Sequence, residues 1–181
     1  RDKCNSKAVL EHCNQTAAGF LHTADKRSTF EVSEEERYEF WETLYASKGF
    51  GIWQGNFKDV PTSPKANEAM SEFVADKIRQ RVDDPETAEK LIPKDHGFGT
   101  RRVPLETNYY ESYNRENVEL IDINETPIER ITPRGILTTD KEFEFDLIIY
   151  ATGFNAILGS YDRIDIMGVN GCRLKEQWRQ E

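Results

Sequence analysis

The sequence has few cysteines and histidines, and their spacing excludes two common kinds of site. Cys4, Cys13 and Cys172 are odd in number and contain no Cys-x-x-Cys pair, so neither a disulfide framework nor a thiolate metal site is expected. The three histidines are equally scattered, and the sequence therefore predicts no metal. Without a disulfide framework, the expected location is a reducing cytoplasm.

Long apolar runs and an excess of basic residues are also missing. Apolar stretches reach only strand length, roughly four to six residues, so no membrane-spanning helix is expected. The sequence has 24 Lys and Arg residues against 33 Asp and Glu residues, and its formal charge of −9 argues against nucleic-acid binding. Of the 181 residues, 37% are hydrophobic, which suffices for the core of one or two globular units.

The two ends of the sequence are unusual for a complete protein. It begins with Arg1 and no initiator methionine, and residues 177–181 are typical of an unfinished helix or strand. We therefore expect the chain to be part of a longer protein.

Residues 33–92 carry the signals of three helices. Ser33 followed by Glu36 predicts a capped helix start, and Gly49 predicts the end of that helix. Ser63-Pro64 and Asp84-Pro85 predict two further starts. The middle helix has an apolar stripe that consists of Ala66, Ala69, Met70, Phe73, Val74, Ile78 and Val82. The aromatic connector at 50–57 is expected to pack between helices rather than to line a substrate tunnel.

After Pro93 the pattern changes to short strands. Residues 117–122 alternate as a strand does, and residues 128–132 and 136–139 flank a turn, which predicts a hairpin. A short helix carrying Tyr109, Tyr110 and Tyr113 is expected to be capped by Thr107 or Asn108.

A continuous apolar run at 147–150 is followed by small residues. The run predicts a strand covered on both faces, as in a parallel α/β sheet. Ala151 and Gly153 leave room for a close approach by another backbone or by a cofactor. A core strand followed by an ordinary glycine turn explains this segment equally well.

The compact basic feature of this acidic chain is Gly97-Phe-Gly-Thr-Arg-Arg102. Its glycines allow the backbone to turn close to a ligand, and one guanidinium could bind a phosphate with two hydrogen bonds. The alternative is a solvated loop in which Arg101 and Arg102 pair with the many carboxylates.

Taken in order, these segments closely resemble the middle of the Baeyer–Villiger monooxygenases, which are flavin- and NADPH-dependent ketone oxygenases. The resemblance runs from about residue 30 to residue 178. The segments that carry it are 67–74, 93–102, 106–111, 113–122, 127–132, 146–154 and 164–168.

The resemblance implies an α/β fold that combines a helical insertion with partial NADPH-binding and FAD-binding Rossmann-like domains. Residues 1–92 would form the mainly helical insertion, residues 93–149 the closing part of the NADPH-binding domain, and residues 150–181 the start of the returning FAD-binding segment. The parent enzyme would use FAD, NADPH and O₂ to insert one oxygen atom into a ketone, giving an ester or a lactone.

The resemblance also implies site residues. Arg102 would be catalytic, because an always-protonated donor stabilises the anionic flavin peroxide that attacks the ketone. Arg101, where relatives usually have Lys, would contact the 2′-phosphate of NADPH. A segment close to the cofactors would bind them, namely Ala151, Thr152, Gly153 and Phe154.

At two further positions the comparison with the family does not assign a clear role. Asn155 stands where relatives commonly have Asp, which removes a carboxylate from this position. Trp178 matches a tryptophan near the family's active-site rim, although a buried core indole is the favoured interpretation.

The sequence lacks any Gly-x-Gly-x-x-Gly fingerprint, and these loops are the main anchors of dinucleotides. The isolated chain is therefore expected to be inactive, and its partners to be the ketone, O₂ and the remainder of the parent chain, without nucleic acid or a membrane. Two alternatives stay open. One is another two-dinucleotide flavoprotein, such as an N-hydroxylating monooxygenase or a disulfide reductase, and the other is a non-catalytic folding or interaction module.

Overall fold

The computed structural model describes residues 6–16, 19–153, 155, 159 and 161–178. The chain divides into two compact units, residues 1–122 and residues 123–181. The boundaries expected at 92/93 and 149/150 concern the domains of a longer protein, so this division does not test them and they stay a prediction.

The first unit is helical. Its helices, in chain order, are α1 (Ser6–Gln15), α2 (Glu34–Ala46), α3 (Gly51–Gln54), α4 (Pro64–Arg81), α5 (Pro85–Leu91) and α6 (Tyr109–Ser112). The second unit contains β1 (Ile128–Ile131), β2 (Gly135–Thr138), β3 (Glu142–Glu144), a 3₁₀ turn (Tyr161–Arg163) and α7 (Leu174–Trp178).

The three predicted helix starts are confirmed by their caps. The Ser33 hydroxyl accepts a hydrogen bond from the backbone N–H of Glu36 at 3.1 Å, and the Asp84 carboxylate accepts one from Thr87 at 2.8 Å. Ser63 caps α4 in the same way, with Pro64 as its first residue. Helix α2 ends at Ala46, before Gly49, which follows with a φ of 81°.

The core of the first unit forms where α2 and α4 meet the connector between them. Its buried residues are Trp41, Phe57, Val60, Met70 and Phe73. The indole N–H of Trp41 donates to Asn56 Oδ1 at 2.9 Å, so this buried polar group has a partner. The expectation that the connector packs between helices is confirmed, since Phe57 is 1% exposed.

The predicted hairpin is confirmed in the second unit, and a third strand extends it. The three strands are antiparallel in the order β1-β2-β3, with Ile131 opposite Ile136 at the hairpin end. Arg134 in the turn forms ion pairs with Glu142 and Glu144 of β3, at 2.8 and 2.7 Å.

The two other strand predictions are wrong for this structure. Residues 117–122 have no regular structure, and the apolar run at 147–150 pairs with no strand in the described part of the chain and is mostly exposed, with only Ile148 half-buried. Leu147 is 75% exposed and Ile149 is 80% exposed. A strand buried on both faces needs parallel neighbours, and the strands in the described part of the chain form only a small antiparallel sheet.

The cap of α6 also differs from the prediction. Asn108 precedes α6 with a left-handed φ of 56° and makes no side-chain cap. The carboxylate of Glu106 accepts from the backbone N–H of Tyr109 at 2.8 Å instead. Within the described ranges, no helix has the length and apolar character needed to cross a bilayer.

The two methionines allow a matched test of the core. Met70 is 0% exposed in the first unit and Met167 is 62% exposed in the second. We expect Met70→Ala to lower the free energy of unfolding by about 2–4 kcal/mol, because it leaves a cavity, whereas Met167→Ala changes it by less than about 0.5 kcal/mol. Urea unfolding followed by circular dichroism at helical wavelengths measures both, and equal effects would contradict this description of the core.

Candidate functional site

The Arg101–Arg102 pair follows a tight turn at residues 97–100. Thr100 closes this turn, since its backbone N–H and its hydroxyl donate to Gly97 O at 3.3 and 2.8 Å. Gly99 has a φ of 71°, and a Cβ atom there would lie 2.9 Å from Trp53 Nε1. Glycine is therefore required at this position both by backbone conformation and by the close indole.

Two side chains of α4 bind the backbone of this turn. Asn67 Nδ2 donates to Phe98 O at 2.8 Å and to Val60 O at 3.1 Å. The backbone N–H of Phe98 donates to Ser71 Oγ at 2.9 Å. Since Asn67 and Ser71 are one helical turn apart, both polar backbone groups of Phe98 bond to the same face of α4.

The two arginines are exposed and differ in their partners. Arg101 Nη2 forms an ion pair with Asp95 Oδ2 at 2.9 Å. A hydrogen bond from His96 and the charge of Arg101 hold the pKa of Asp95 below its usual value. Arg102 makes no hydrogen bond or ion pair with any residue that the structure describes. Its guanidinium is therefore available to a ligand without first breaking a contact to that part of the chain.

An open groove of about 460 Å³ lies beside the same turn. It is bounded by the residues that begin α4, by Asn67 and Ser71, and by His96, Gly97 and Thr100. Neither Arg101 nor Arg102 lines it, so the groove and the arginine pair are separate features.

Arg81, at the end of α4, joins the helix to the segment that follows the arginine pair. Its guanidinium binds both carboxylate oxygens of Glu111, at 2.6 and 2.8 Å, and also binds Glu106 at 2.8 Å and Tyr45 Oη at 2.9 Å. It also stacks over the ring of Tyr110 at 5.0 Å. The segment from Glu106 to Glu111 is thus attached to α4 through one cation.

The Arg81 network shifts the protonation of its members. Its hydrogen bonds lower the pKa of Glu111 to about 2 and also lower the pKa of Glu106. Burial raises the pKa of Tyr110. Sequence reasoning missed Arg81, Asn67 and Ser71, because they are ordinary polar residues of a helix and their partners lie about 30 residues further along the chain.

The remaining predicted site residues belong to the second unit. Ala151, Thr152 and Gly153 are exposed, and Phe154 lies outside the described residues. Gly153 has a φ of 83°, which favours glycine, and no atom of the described residues lies within 4 Å of an added Cβ. Trp178 is 37% exposed and makes an edge contact with Tyr161 at 5.4 Å, so it is not the buried indole that was expected.

Taken separately, the arginine pair and the segment at Gly153 each have the chemistry to contact a bound dinucleotide. Two adjacent guanidiniums suit phosphate or another anion, and the open backbone at Gly153 suits a close approach. Within the described ranges, no group of three or more His, Cys, Asp or Glu residues is arranged so that it could hold a metal ion.

Comparison with known proteins identifies the relatives of this chain. A 2-oxo-Δ³-4,5,5-trimethylcyclopentenylacetyl-CoA monooxygenase from Pseudomonas putida is 52% identical over 172 residues, which are 95% of this chain and 32% of the relative. A Baeyer–Villiger monooxygenase from Pseudooceanicola batsensis is 41% identical over 91% of this chain and 30% of its own length. The chain is homologous to part of the Baeyer–Villiger monooxygenases. It spans about a third of the length of the curated relatives it matches.

Solved structures confirm the resemblance and the α/β fold class. The crystal structure of OTEMO in complex with FAD and NADP matches with a TM-score of 0.91 at 52% identity, over 95% of this chain and 32% of that one. A phenazine N-monooxygenase from Lysobacter antibioticus is also related, at 42% identity over 84% of this chain and 28% of its own length. No family model matches the chain.

The Arg81 network predicts a specific dependence of stability on pH. The pKa of Glu111 falls from 4.5 to about 2 on folding, so its ion pair stabilises the fold above pH 4.5 and is lost as the pH falls towards 2. We expect the urea midpoint of Glu111→Gln to fall less steeply than that of the wild type across this range. Glu116→Gln, a change at an exposed carboxylate, should retain the wild-type slope, and identical slopes for all three proteins would contradict the assignment.

Proposed function

We propose that this chain is part of a Baeyer–Villiger monooxygenase that uses FAD and NADPH to insert one atom of O₂ into a ketone, giving an ester or a lactone. The observation that carries the proposal is the match to OTEMO, at 52% identity and a TM-score of 0.91, over 95% of this chain. That structure is a complex with FAD and NADP. Because the chain spans about a third of such proteins, the activity is proposed for the whole protein.

In this proposal the two arginines have different roles. Arg101 binds the 2′-phosphate of NADPH, a role supported by its exposure and by its position beside a turn that is anchored to α4. Arg102 donates hydrogen bonds to the oxygen on which negative charge develops during attack on the ketone. A guanidinium stays protonated at any physiological pH, so its charge is present throughout the reaction.

Bound FAD supplies the activation of O₂, and NADPH supplies the hydride that this chemistry consumes. The chain's own contribution is electrostatic. Arg102 lowers the free energy of an oxygen anion more than that of the neutral ketone, and only such a difference accelerates the reaction. Ala151, Thr152, Gly153 and Phe154 are proposed to contact the cofactors through their backbone, with Gly153 allowing the close approach.

The domain boundaries and the setting belong to the same proposal. Residues 1–92 are assigned to a helical insertion, residues 93–149 to the NADPH-binding domain and residues 150–181 to the FAD-binding domain. The partner of the chain is then the remainder of the enzyme, in the cytoplasm, without nucleic acid or a membrane.

The role of Arg102 is tested in the whole protein by Arg102→Ala. We expect ketone oxygenation to fall by about 10²–10³-fold, as for removal of an oxyanion donor, while NADPH oxidation continues and yields hydrogen peroxide. Product analysis and peroxide detection measure the two outcomes. Arg115→Ala, a change at another exposed arginine of the first unit, is the matched control and should keep normal coupling. Normal ester yield from Arg102→Ala would remove Arg102 from the chemistry.

A second candidate function is oxygenation of a nitrogen atom, and the similarity to a phenazine N-monooxygenase supports it. The two functions are separated by offering the whole protein a cyclic ketone and a phenazine and identifying the oxygenated product. An ester or lactone supports the first proposal, and an N-oxide without an ester supports the second.

A separate experiment on the isolated 181-residue chain tests whether this chain binds FAD without the rest of the enzyme. We expect it to bind FAD weakly or not at all, because the sequence has no Gly-x-Gly-x-x-Gly loop to hold the pyrophosphate. Titration followed by flavin fluorescence, and gel filtration of the mixture, measure this binding. Stoichiometric FAD that stays with the chain through gel filtration would contradict the proposal that the cofactor needs the rest of the enzyme.

A further inference from the structure

The turn that carries Arg101 and Arg102 is attached to α4 at Phe98. Asn67 donates to its carbonyl at 2.8 Å, and Ser71 accepts from its backbone N–H at 2.9 Å. Ser71 is itself oriented by a hydrogen bond from its hydroxyl to Asn67 O at 2.8 Å. Both attachments therefore come from two adjacent turns of one helix, and the same helix contributes buried residues to the core.

The packing around this attachment leaves the turn little freedom. A Cβ atom on Gly97 would overlap Asn67 Oδ1, so the backbone lies directly against the Asn67 side chain. The ring of Phe98 packs against the core cluster, and Gly99 lies against Trp53. Three consecutive residues are thus fixed by hydrogen bonds, by burial or by contact with an indole.

The distance along the chain from this attachment to the arginines is short. Arg101 is three residues beyond Phe98 and Arg102 is four, and each residue extends the chain by at most about 3.6 Å. The placement of both guanidiniums relative to α4 is therefore limited by where Phe98 is held. A shift of about 1 Å in a group that binds a reacting centre costs on the order of 10²-fold in rate.

We propose that Asn67 and Ser71 are positioning residues for the arginine pair: they hold Phe98 so that Arg101 meets the coenzyme phosphate and Arg102 meets the oxygen anion. The inference rests on the proposed function of the two arginines. Asn67 and Ser71 act through the turn and touch neither coenzyme nor substrate.

The chain offers a matched control in Asn114. Its side chain also bonds two backbone groups, accepting from the N–H of Asp83 and donating to Arg81 O, both at 2.9 Å. Asn114 thus fastens the end of α4 to the segment after α6, with no hydrogen bond to residues 97–102. Asn67→Ala and Asn114→Ala both remove hydrogen bonds from an asparagine side chain to the backbone. Asn67→Ala removes them from the turn that carries the arginines, and Asn114→Ala removes them from the end of α4.

The test uses the whole FAD-containing protein and measures the affinities for NADP⁺ and NAD⁺ by calorimetry, together with hydrogen exchange of the Phe98 amide. We expect Asn67→Ala to weaken NADP⁺ binding by about threefold to tenfold while NAD⁺ binding changes less than about twofold, with loss of protection at Phe98. The yield of ester per NADPH should fall in parallel. Asn114→Ala should lower the melting temperature comparably and leave the ratio of affinities and the ester yield unchanged.

Two further variants separate the possible outcomes. Ser71→Ala removes the acceptor for the Phe98 N–H without disturbing Asn67 Nδ2, and it should shift the affinity ratio in the same direction by a smaller factor. Arg101→Ala gives the full effect of losing the phosphate contact. If Arg101→Ala shifts the ratio and Asn67→Ala and Ser71→Ala do not, the positioning role is wrong and the role of Arg101 stands. If Arg101→Ala itself leaves the ratio unchanged, both are overturned.

Discussion

The burial of one side of α4 is the constraint on which the first unit depends. Ala66, Met70, Phe73 and Ile78 of this helix are at most 2% exposed. The aromatic residues of α2 and of the connector pack against Met70 and Phe73, and Ile78 packs with Val82 and Ala88. Because the helix is fixed by these buried residues, the polar side chains beside them have a rigid support. Asn67 and Ser71 use the beginning of that support to hold the turn at Phe98, and Arg81 uses its end to hold the segment of α6.

The arginines of the described residues differ in whether they form ion pairs with carboxylates, and this difference distinguishes the candidate site. In this acidic protein, Arg79 and Arg81 each bind two or more carboxylates, and Arg27 binds both Asp25 and Glu36. Most of these pairs are partly exposed, so each contributes little to stability and serves mainly to fix geometry. Against this background, a guanidinium that makes no ion pair with the described residues, as at Arg102, is suited to an anion supplied from outside the chain.

Structural features that are decided within a few residues could be predicted from the sequence, and features that depend on partners far along the chain could not. The caps at Ser33, Ser63 and Asp84 and the hairpin around residue 134 were predictable, because each is decided within a few residues. The apolar run at 147–150 was predicted to be a buried strand, but burial requires neighbouring strands, which a local pattern does not report. The arginine pair was found by its charge, whereas the attachment of its turn by Asn67 was not, since a helix surface commonly carries asparagine and its partner is 31 residues away.

The contact between Gly99 and Trp53 makes the indole a reporter of the neighbouring loop. Indole emission responds to nearby charge and to exposure, and Trp53 lies against the backbone two residues before Arg101. The other tryptophan of the helical unit, Trp41, is 3% exposed in the core and bonded to Asn56, so its environment changes little unless the unit unfolds. The intrinsic fluorescence of the helical unit therefore distinguishes a movement of the arginine-bearing turn from a loss of the fold, without an added label.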